Sequence, residues 1–234
     1  MEQLKLGKSE VYSSRIIYGC MRLKDRNLSS GKINADSLIK GVFNYGINHF
    51  DLADIYGTGE CESIFSKSLE NNSSFRDKII LTGKCGIVLK NQNRDIKYYD
   101  LSFDHIVKSV EGSLLRLRTD YLDFLLLHRP DYLLNPEEIS KAFDSLKKSG
   151  KVRYFGVSNF SVSQILMLEK YLNQVTSLDF RGYFIEEEGA GVLAKMLEAN
   201  KKITLLDLGH NPMGVSMKNL RDIAQEKGLS LYMD

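Results

Sequence analysis

Three apolar runs in this chain end on side chains that can hold a charge or move a proton. NHFDLADIYG, residues 48–57, closes its apolar run with Asp51 and presents Tyr56 five residues later. KIILTGK closes with Lys84, and DFLLLHRPD carries His128 directly after its leucines. An acid, a phenol, an ammonium and an imidazole drawn from the ends of successive buried strands form an active-site constellation in a (β/α) barrel, whose catalytic groups gather at the C-terminal rim. Each has a plainer use as well: Asp51 and Lys84 as a buried ion pair, Tyr56 as a packed aromatic, His128 as a core histidine. Their succession in order is what points to chemistry.

The elements that must position these groups alternate between short apolar runs and amphipathic stretches. RIIYG (15–19) leads to ADSLIKGVFNYG (35–46), INHFDLAD to GECESIFSKSLE (59–70), and KIILTGK to SFDHIVKSVEGSLLRLR (102–118). DYLDFLLLH leads to NPEEISKAFDSLKKSG (135–150), and KVRYFGVSN to SVSQILMLEKYL (161–172). Five βα units predict a parallel sheet, and the unbroken DFLLL reads as a strand buried on both faces. Caps support the helices: Asn135 before Pro136 with Glu138 three residues on, Gly150 as a stop, and Ser102 and Ser161 as N-caps. No GxGxxG follows the first strand, which disfavours a Rossmann sheet, and Gly57 and Gly59 read as turn residues.

Composition narrows the function classes. The 234 residues are 43% hydrophobic and 26% charged, as in a folded globule. A net charge of +2 with dispersed basic residues gives no footprint for nucleic acid or an anionic membrane. The cluster KKSGKVR (147–153) reads as a solvated helix end. No window approaches the roughly 18 apolar residues of a membrane span, and the N-terminus has no apolar signal region, so the expected location is cytoplasmic. Cys20, Cys61 and Cys85 make no CxxC pair and no metal spacing, so no metal site is expected.

HFDLADIYG with the following ECE, LTGKCG, LLLHRPD and KVRYFGVSNF together resemble the aldo-keto reductase family, in a bacterial subgroup of oxidoreductases, over residues 1 to about 172. The resemblance implies a TIM barrel, NADPH as cofactor without a Rossmann motif, and a small-molecule carbonyl substrate. It places the catalytic tetrad on Asp51, Tyr56, Lys84 and His128, and the hold on the nicotinamide carboxamide on Ser158 and Asn159. Gln174 matches a cofactor-contacting glutamine at a shortened spacing. A phenol is a poor acid until a neighbouring cation stabilises its phenolate, and Lys84 is placed to be that cation. Asp51 would fix the ammonium, His128 would orient and polarise the carbonyl, and Tyr56 would be the general acid. His49, His105 and His210 match no catalytic position and read as packing or surface residues.

Residues 173–234 carry a second pattern. From Val175 and from Ile203 run two consecutive 28-residue segments. The second fits LxxLxLxxN with Ile203, Leu206, Leu208 and Asn211; the first fits with Val175, Leu178 and Phe180 but has Tyr183 at the asparagine position. This resembles the ribonuclease-inhibitor type of leucine-rich repeat. Glu186, Glu187 and Glu188 read as a solvated helix start. Two architectures follow: a short solenoid attached to part of a barrel, or strands at 175–180, 203–208 and 229–233 standing in for barrel strands six to eight, with helices at 189–200 and 217–228. The second leaves fewer open edges. No late phosphate-gripping segment of the reductase type is found. The expected function is NADPH-dependent carbonyl reduction; the alternative is an inactive reductase remnant that binds a protein partner through its leucine-rich segment.

Overall fold

The computed structural model describes residues 1–6, 9–26, 34–70, 73–92, 95–171, 175–179, 190–191, 193–194, 197–198, 205–208 and 216–232. Eight strands form one sheet, hydrogen-bonded in chain order: β1 (Ile17–Gly19), β2 (His49–Asp51), β3 (Ile80–Cys85), β4 (Leu122–Leu127), β5 (Val152–Ser158), β6 (Val175–Asp179), β7 (Leu205–Asp207) and β8 (Ser230–Tyr232). Every neighbouring pair is parallel. All six residues of β3 and of β4 are buried, as their unbroken apolar runs require.

Helices lie between the strands: α1 (Ala35–Asn44), α2 (Glu60–Glu70), α3 (Phe103–Leu117), α4 (Pro136–Lys148), α5 (Val162–Glu169) and α6 (Ser216–Lys227). Residues 190–191, 193–194 and 197–198 are helical too, with Ala190, Leu193, Ala194 and Leu197 buried. Asn135 caps α4 by accepting from the Glu137 amide at 3.0 Å, and Ser161 and Gln164 form a reciprocal capping box on α5. Glu138 departs from its expected local role: its carboxylate accepts from the Phe103 amide at 3.3 Å and caps the neighbouring helix α3. Lys147 is more than a solvated cation, since its ammonium donates to the Arg153 carbonyl and lies 5.0 Å from the centre of the Tyr154 ring.

The sheet curls. An N-terminal hairpin, Gln3–Lys5 paired with Tyr12–Ser14, is tied to the start of β2 by the Ser14 amide donating to Asn48 Oδ1 at 2.7 Å, and to β8 by the Ser230 hydroxyl donating to the Lys5 carbonyl at 2.6 Å. Beside it Leu6 packs with Ile80 of β3 and Phe124 of β4, and Tyr154 of β5 and Tyr232 of β8 join them. In a flat sheet β4 and β8 would stand about 19 Å apart at ordinary strand spacing. Sharing one small cluster requires the sheet to wrap, which makes the fold a (β/α) barrel.

The late strands belong to this sheet. β6 pairs with β5, and β7 pairs with β6 so that Leu178 stands opposite Leu206. One hydrophobic core runs from Cys20 to Ile223 and takes in Leu193, Leu197, Leu206 and Leu208. The leucine spacing read as a solenoid repeat is therefore accounted for by barrel βα units, because a strand and helix stacked in parallel need the same apolar positions in either setting. Phe180, Tyr183, Glu186 to Glu188, Ile203 and Asn211 lie outside the described residues.

Candidate active site

Asp51 is the last residue of β2, and the chain beyond it stays bonded to β3: the Leu52 amide donates to the Thr82 carbonyl at 2.8 Å and the Asp54 amide to the Lys84 carbonyl at 3.1 Å. Tyr56 then opens a single 3-10 turn, Tyr56–Gly59, in which Gly57 and Thr58 are left-handed. Gly59 has φ +88°, and a Cβ there would lie 2.8 Å from Arg116 Nε. That guanidinium is fixed by Glu62, 2.7 Å away and fully buried. The turn presenting Tyr56 is thus pressed against the half-buried Arg116 of this ion pair, a use of the glycine that the turn reading only half anticipates.

Lys84, 5% exposed on β3, spends all three of its protons inside the site. It donates to Asp51 Oδ2 at 2.6 Å, to the Leu52 carbonyl at 3.0 Å and to Tyr56 Oη at 3.0 Å. Burial works against the ammonium, yet its pKa is raised overall because Asp51 and Tyr56 face it and accept from it. Lys84 therefore stays charged at neutral pH. The phenol oxygen accepts from Lys84, and among the described residues its own proton is donated to none.

His128 follows β4, its amide donating to the Cys85 carbonyl at 2.8 Å, and its ring stands edge-on to Tyr56 with centroids 5.8 Å apart. Burial first, then the charges of Lys84, Arg129 and Lys97, push its pKa from 6.5 to about 3, so the imidazole is neutral. Its buried Nδ1 has no hydrogen-bond partner among the described residues. The structure thus brings Asp51, Tyr56, Lys84 and His128 together at the C-terminal ends of β2, β3 and β4.

Ser158 ends β5, and Asn159, left-handed at φ +65°, directs its Nδ2 to the His128 carbonyl at 2.9 Å and to Ser158 Oγ at 3.0 Å. This leaves the Ser158 hydroxyl proton as a donor and Asn159 Oδ1 as an acceptor, the pair that a primary carboxamide such as that of nicotinamide requires. Gln174 lies outside the described residues, as does His210. His49 bridges Ser13 Oγ at 2.9 Å and Thr82 Oγ1 at 2.7 Å away from the tetrad, and His105 sits in the first turn of α3. Burial pushes the Cys85 thiol well above its usual range and the nearby Asp54 adds to this, so its neighbour Lys84 does not activate it. Sequence reasoning missed Asp54, which accepts from the Ser109 hydroxyl and anchors the Tyr56 loop to α3; its only signal was a second acid within DLADIYG. Among the described residues no group of three or more His, Cys, Asp or Glu side chains is placed to hold a metal ion, and no helix is long and apolar enough to cross a membrane.

A parallel (β/α) barrel with an ammonium held between a carboxylate and a phenol at its C-terminal rim defines the class of the barrel oxidoreductases. Residues 15–232 match the model of the Aldo/keto reductase family, and the chain belongs to that family. It is 43% identical over 199 residues to the uncharacterized oxidoreductase YcsN of Bacillus subtilis, covering 82% of this chain and 65% of that one. It is 39% identical over 163 residues to a 6-dehydroglucose reductase of Agrobacterium fabrum, covering 68% of this chain and 54% of that one. Among solved structures, the holo form of aldo-keto reductase AKR11C1 from Bacillus halodurans superposes with a TM-score of 0.69 at 26% identity, over 100% of this chain and 65% of that one. The chain thus spans about half to two thirds of the length of these relatives.

Proposed function

We propose that the chain reduces an aldehyde or ketone to an alcohol with NADPH, Tyr56 giving the proton. The observation that carries this is the hydrogen-bond economy at Tyr56: its oxygen accepts from Lys84 while its own proton is uncommitted. Proton loss to the developing alkoxide would leave a phenolate 3.0 Å from an ammonium that Asp51 holds in place. His128, neutral, would donate a ring N–H to the carbonyl oxygen. Ser158 and Asn159 would hold the nicotinamide carboxamide, and the hydride is what the bound cofactor supplies. The name of the Agrobacterium relative, a reductase of a dehydro sugar, agrees with a carbonyl substrate.

Residues 173–234 act, in this reading, as the last βα units of the barrel and not as a separate repeat module, since their strands extend the sheet that carries the site. Calorimetric titration with NADPH and NADH, beside benzaldehyde reduction by the wild type and by Tyr56→Phe, tests the proposal. Micromolar NADPH binding with a rate lost in the variant is the expected result. No heat from either nucleotide at millimolar concentration, or an undiminished rate in Tyr56→Phe, overturns it.

A further inference from the structure

Lys84 and Tyr56 reach their 3.0 Å contact from unequal footing. The ammonium is fixed by two further acceptors, Asp51 Oδ2 and the Leu52 carbonyl, whereas among the described residues the phenol oxygen bonds to Lys84 alone. Where the phenol stands is therefore set by its backbone, and that backbone is strained. Gly57 and Thr58 are left-handed, with φ of 58° and 59°, and a β-branched residue keeps that conformation only where its surroundings over-determine it.

Helix α3 supplies the constraint at both ends of the turn. Ser109, Gly112, Ser113 and Arg116 fall on one face of it, at helical spacing. The Ser109 hydroxyl donates to Asp54 Oδ2, two residues before Tyr56, and the Asp54 amide donates to the Lys84 carbonyl at 3.1 Å. Asp54 thereby ties the entry of the turn both to α3 and to the strand residue that carries the ammonium. At the exit, Arg116 lies against Gly59, is held by the buried Glu62 of α2 and donates from Nη2 to Ser113 Oγ at 3.3 Å. A Cβ at Gly112 would stand 3.0 Å from Arg116 Nη1, so this glycine, unfavourable within a helix, leaves the guanidinium room to lie back along α3. Among the described residues neither Asp54 nor Glu62 bonds to a tetrad side chain, and the proton chemistry leaves both unused.

We propose that Asp54 is a positioning residue: with Ser109 it clamps the Tyr56 turn to α3 and so sets the phenol at bonding distance from Lys84. The inference deepens the reductase reading and rests on it for the effect on rate; the clamp itself is measurable without turnover.

The test compares Asp54→Ala, Asp54→Asn and Ser109→Ala with wild type, as full chains, in benzaldehyde reduction with NADPH, in urea stability and in amide hydrogen exchange. Misplacing a reacting group acts on the chemical step, so Asp54→Ala and Ser109→Ala should each lower kcat about tenfold while KM and NADPH affinity stay within about twofold of wild type. An asparagine can still accept from the Ser109 hydroxyl, so Asp54→Asn should recover most of kcat. Removing both partners of the bond should cost no more than removing one. The Tyr56 and Thr58 amides, bonded to the Ala53 and Ile55 carbonyls, should exchange faster in the two alanine variants, with the amides of β3 and β4 unchanged. Lost urea stability with an unaltered kcat, or a change confined to KM, would make Asp54 a structural tie only and overturn the proposal. Asp54→Asn no faster than Asp54→Ala, or turn amides that exchange alike in wild type and variants, would overturn it as well. If wild type reduces no aldehyde while exchange at the turn quickens as expected, the clamp stands and the reductase reading falls.

Discussion

At the residue scale the proposed chemistry turns on the one uncommitted proton of Tyr56. Lys84 saturates three acceptors, so any replacement of it costs Tyr56 the charge that its phenolate would face. Lys84→Met is expected to lower kcat by roughly 10²- to 10⁴-fold, like Tyr56→Phe, with NADPH affinity within a few fold of wild type. Single-turnover rates checked against nucleotide titrations would show it, and a variant that keeps a tenth of the rate would remove Lys84 from the chemistry. Burial also holds both His49 and His128 at about 3, against 6.5 when unfolded. The folded chain then binds fewer protons than the unfolded one between pH 6.5 and 3. Stability from these rings is complete above about pH 6.5 and declines as pH falls toward 3. Asp54, pushed up to about 6 chiefly by burial, has the opposite sign, costing stability as pH rises from 3.8 through 6. That contribution cancels when His49→Gln is compared with wild type, so urea midpoints between pH 7 and 4 should fall less steeply in the variant. Parallel curves would mean that His49 is charged in the fold. The tetrad was legible in the sequence because a polar residue at the end of an apolar run stands out. The Asp54–Ser109 bond was not, since it joins residues 55 apart and neither is unusual where it stands.

At the element scale, local chemistry was readable and cross-element chemistry was not. Asn135, Ser102 and Ser161 cap their helices as their positions predict, because a cap is a contact over two or three residues. Glu138 has the right spacing for a capping box but finds the Phe103 amide on a neighbouring helix, an outcome that only the packing of α3 on α4 decides. Asp123 shows the same limit more sharply. It sits in an otherwise apolar strand, 2% exposed, with Oδ2 accepting from Arg76 at 2.8 Å and from the Leu81 amide at 3.0 Å, and Oδ1 accepting from Arg153 at 3.0 Å. Both guanidiniums stack on Tyr121, at 3.8 and 4.0 Å from the ring centre. One carboxylate thereby couples β3, β4 and β5, the strands that carry Lys84, His128 and Ser158. Asp123→Ala would strand the buried Arg76 charge and should cost about 3–5 kcal/mol. Urea denaturation measures this, and a loss below about 1 kcal/mol would show that the network relaxes around water.

At the scale of the whole molecule, the question is whether residues 173–234 share one cooperative fold with the rest. Their leucine spacing could not answer it, because the periodicity of a βα unit is a property of the unit and says nothing about whether successive units stack in a solenoid or close a barrel. The contacts that distinguish the two join the first residues to the last described strand: the Ser230 hydroxyl on the Lys5 carbonyl, 225 residues away, and Tyr232 packed against the cluster of Leu6, Ile80 and Phe124. A solenoid attached to a barrel fragment would unfold in its own transition and leave the N-terminal hairpin indifferent to β8. A closed barrel makes the two ends one another's packing partners. Leu6, 1% exposed, should lose about 2–4 kcal/mol when cut to Ala, and the cost should fall when Tyr232 is already Ala, because part of what Leu6 packs on is then gone. A coupling of about 0.5 kcal/mol or more in the Leu6→Ala, Tyr232→Ala double-mutant cycle, with a single urea transition in all four proteins, is the expected result. Additive costs with two transitions would instead separate the C-terminal units from the barrel, and the strands carrying Asp51, Lys84 and His128 would have to be stable without them.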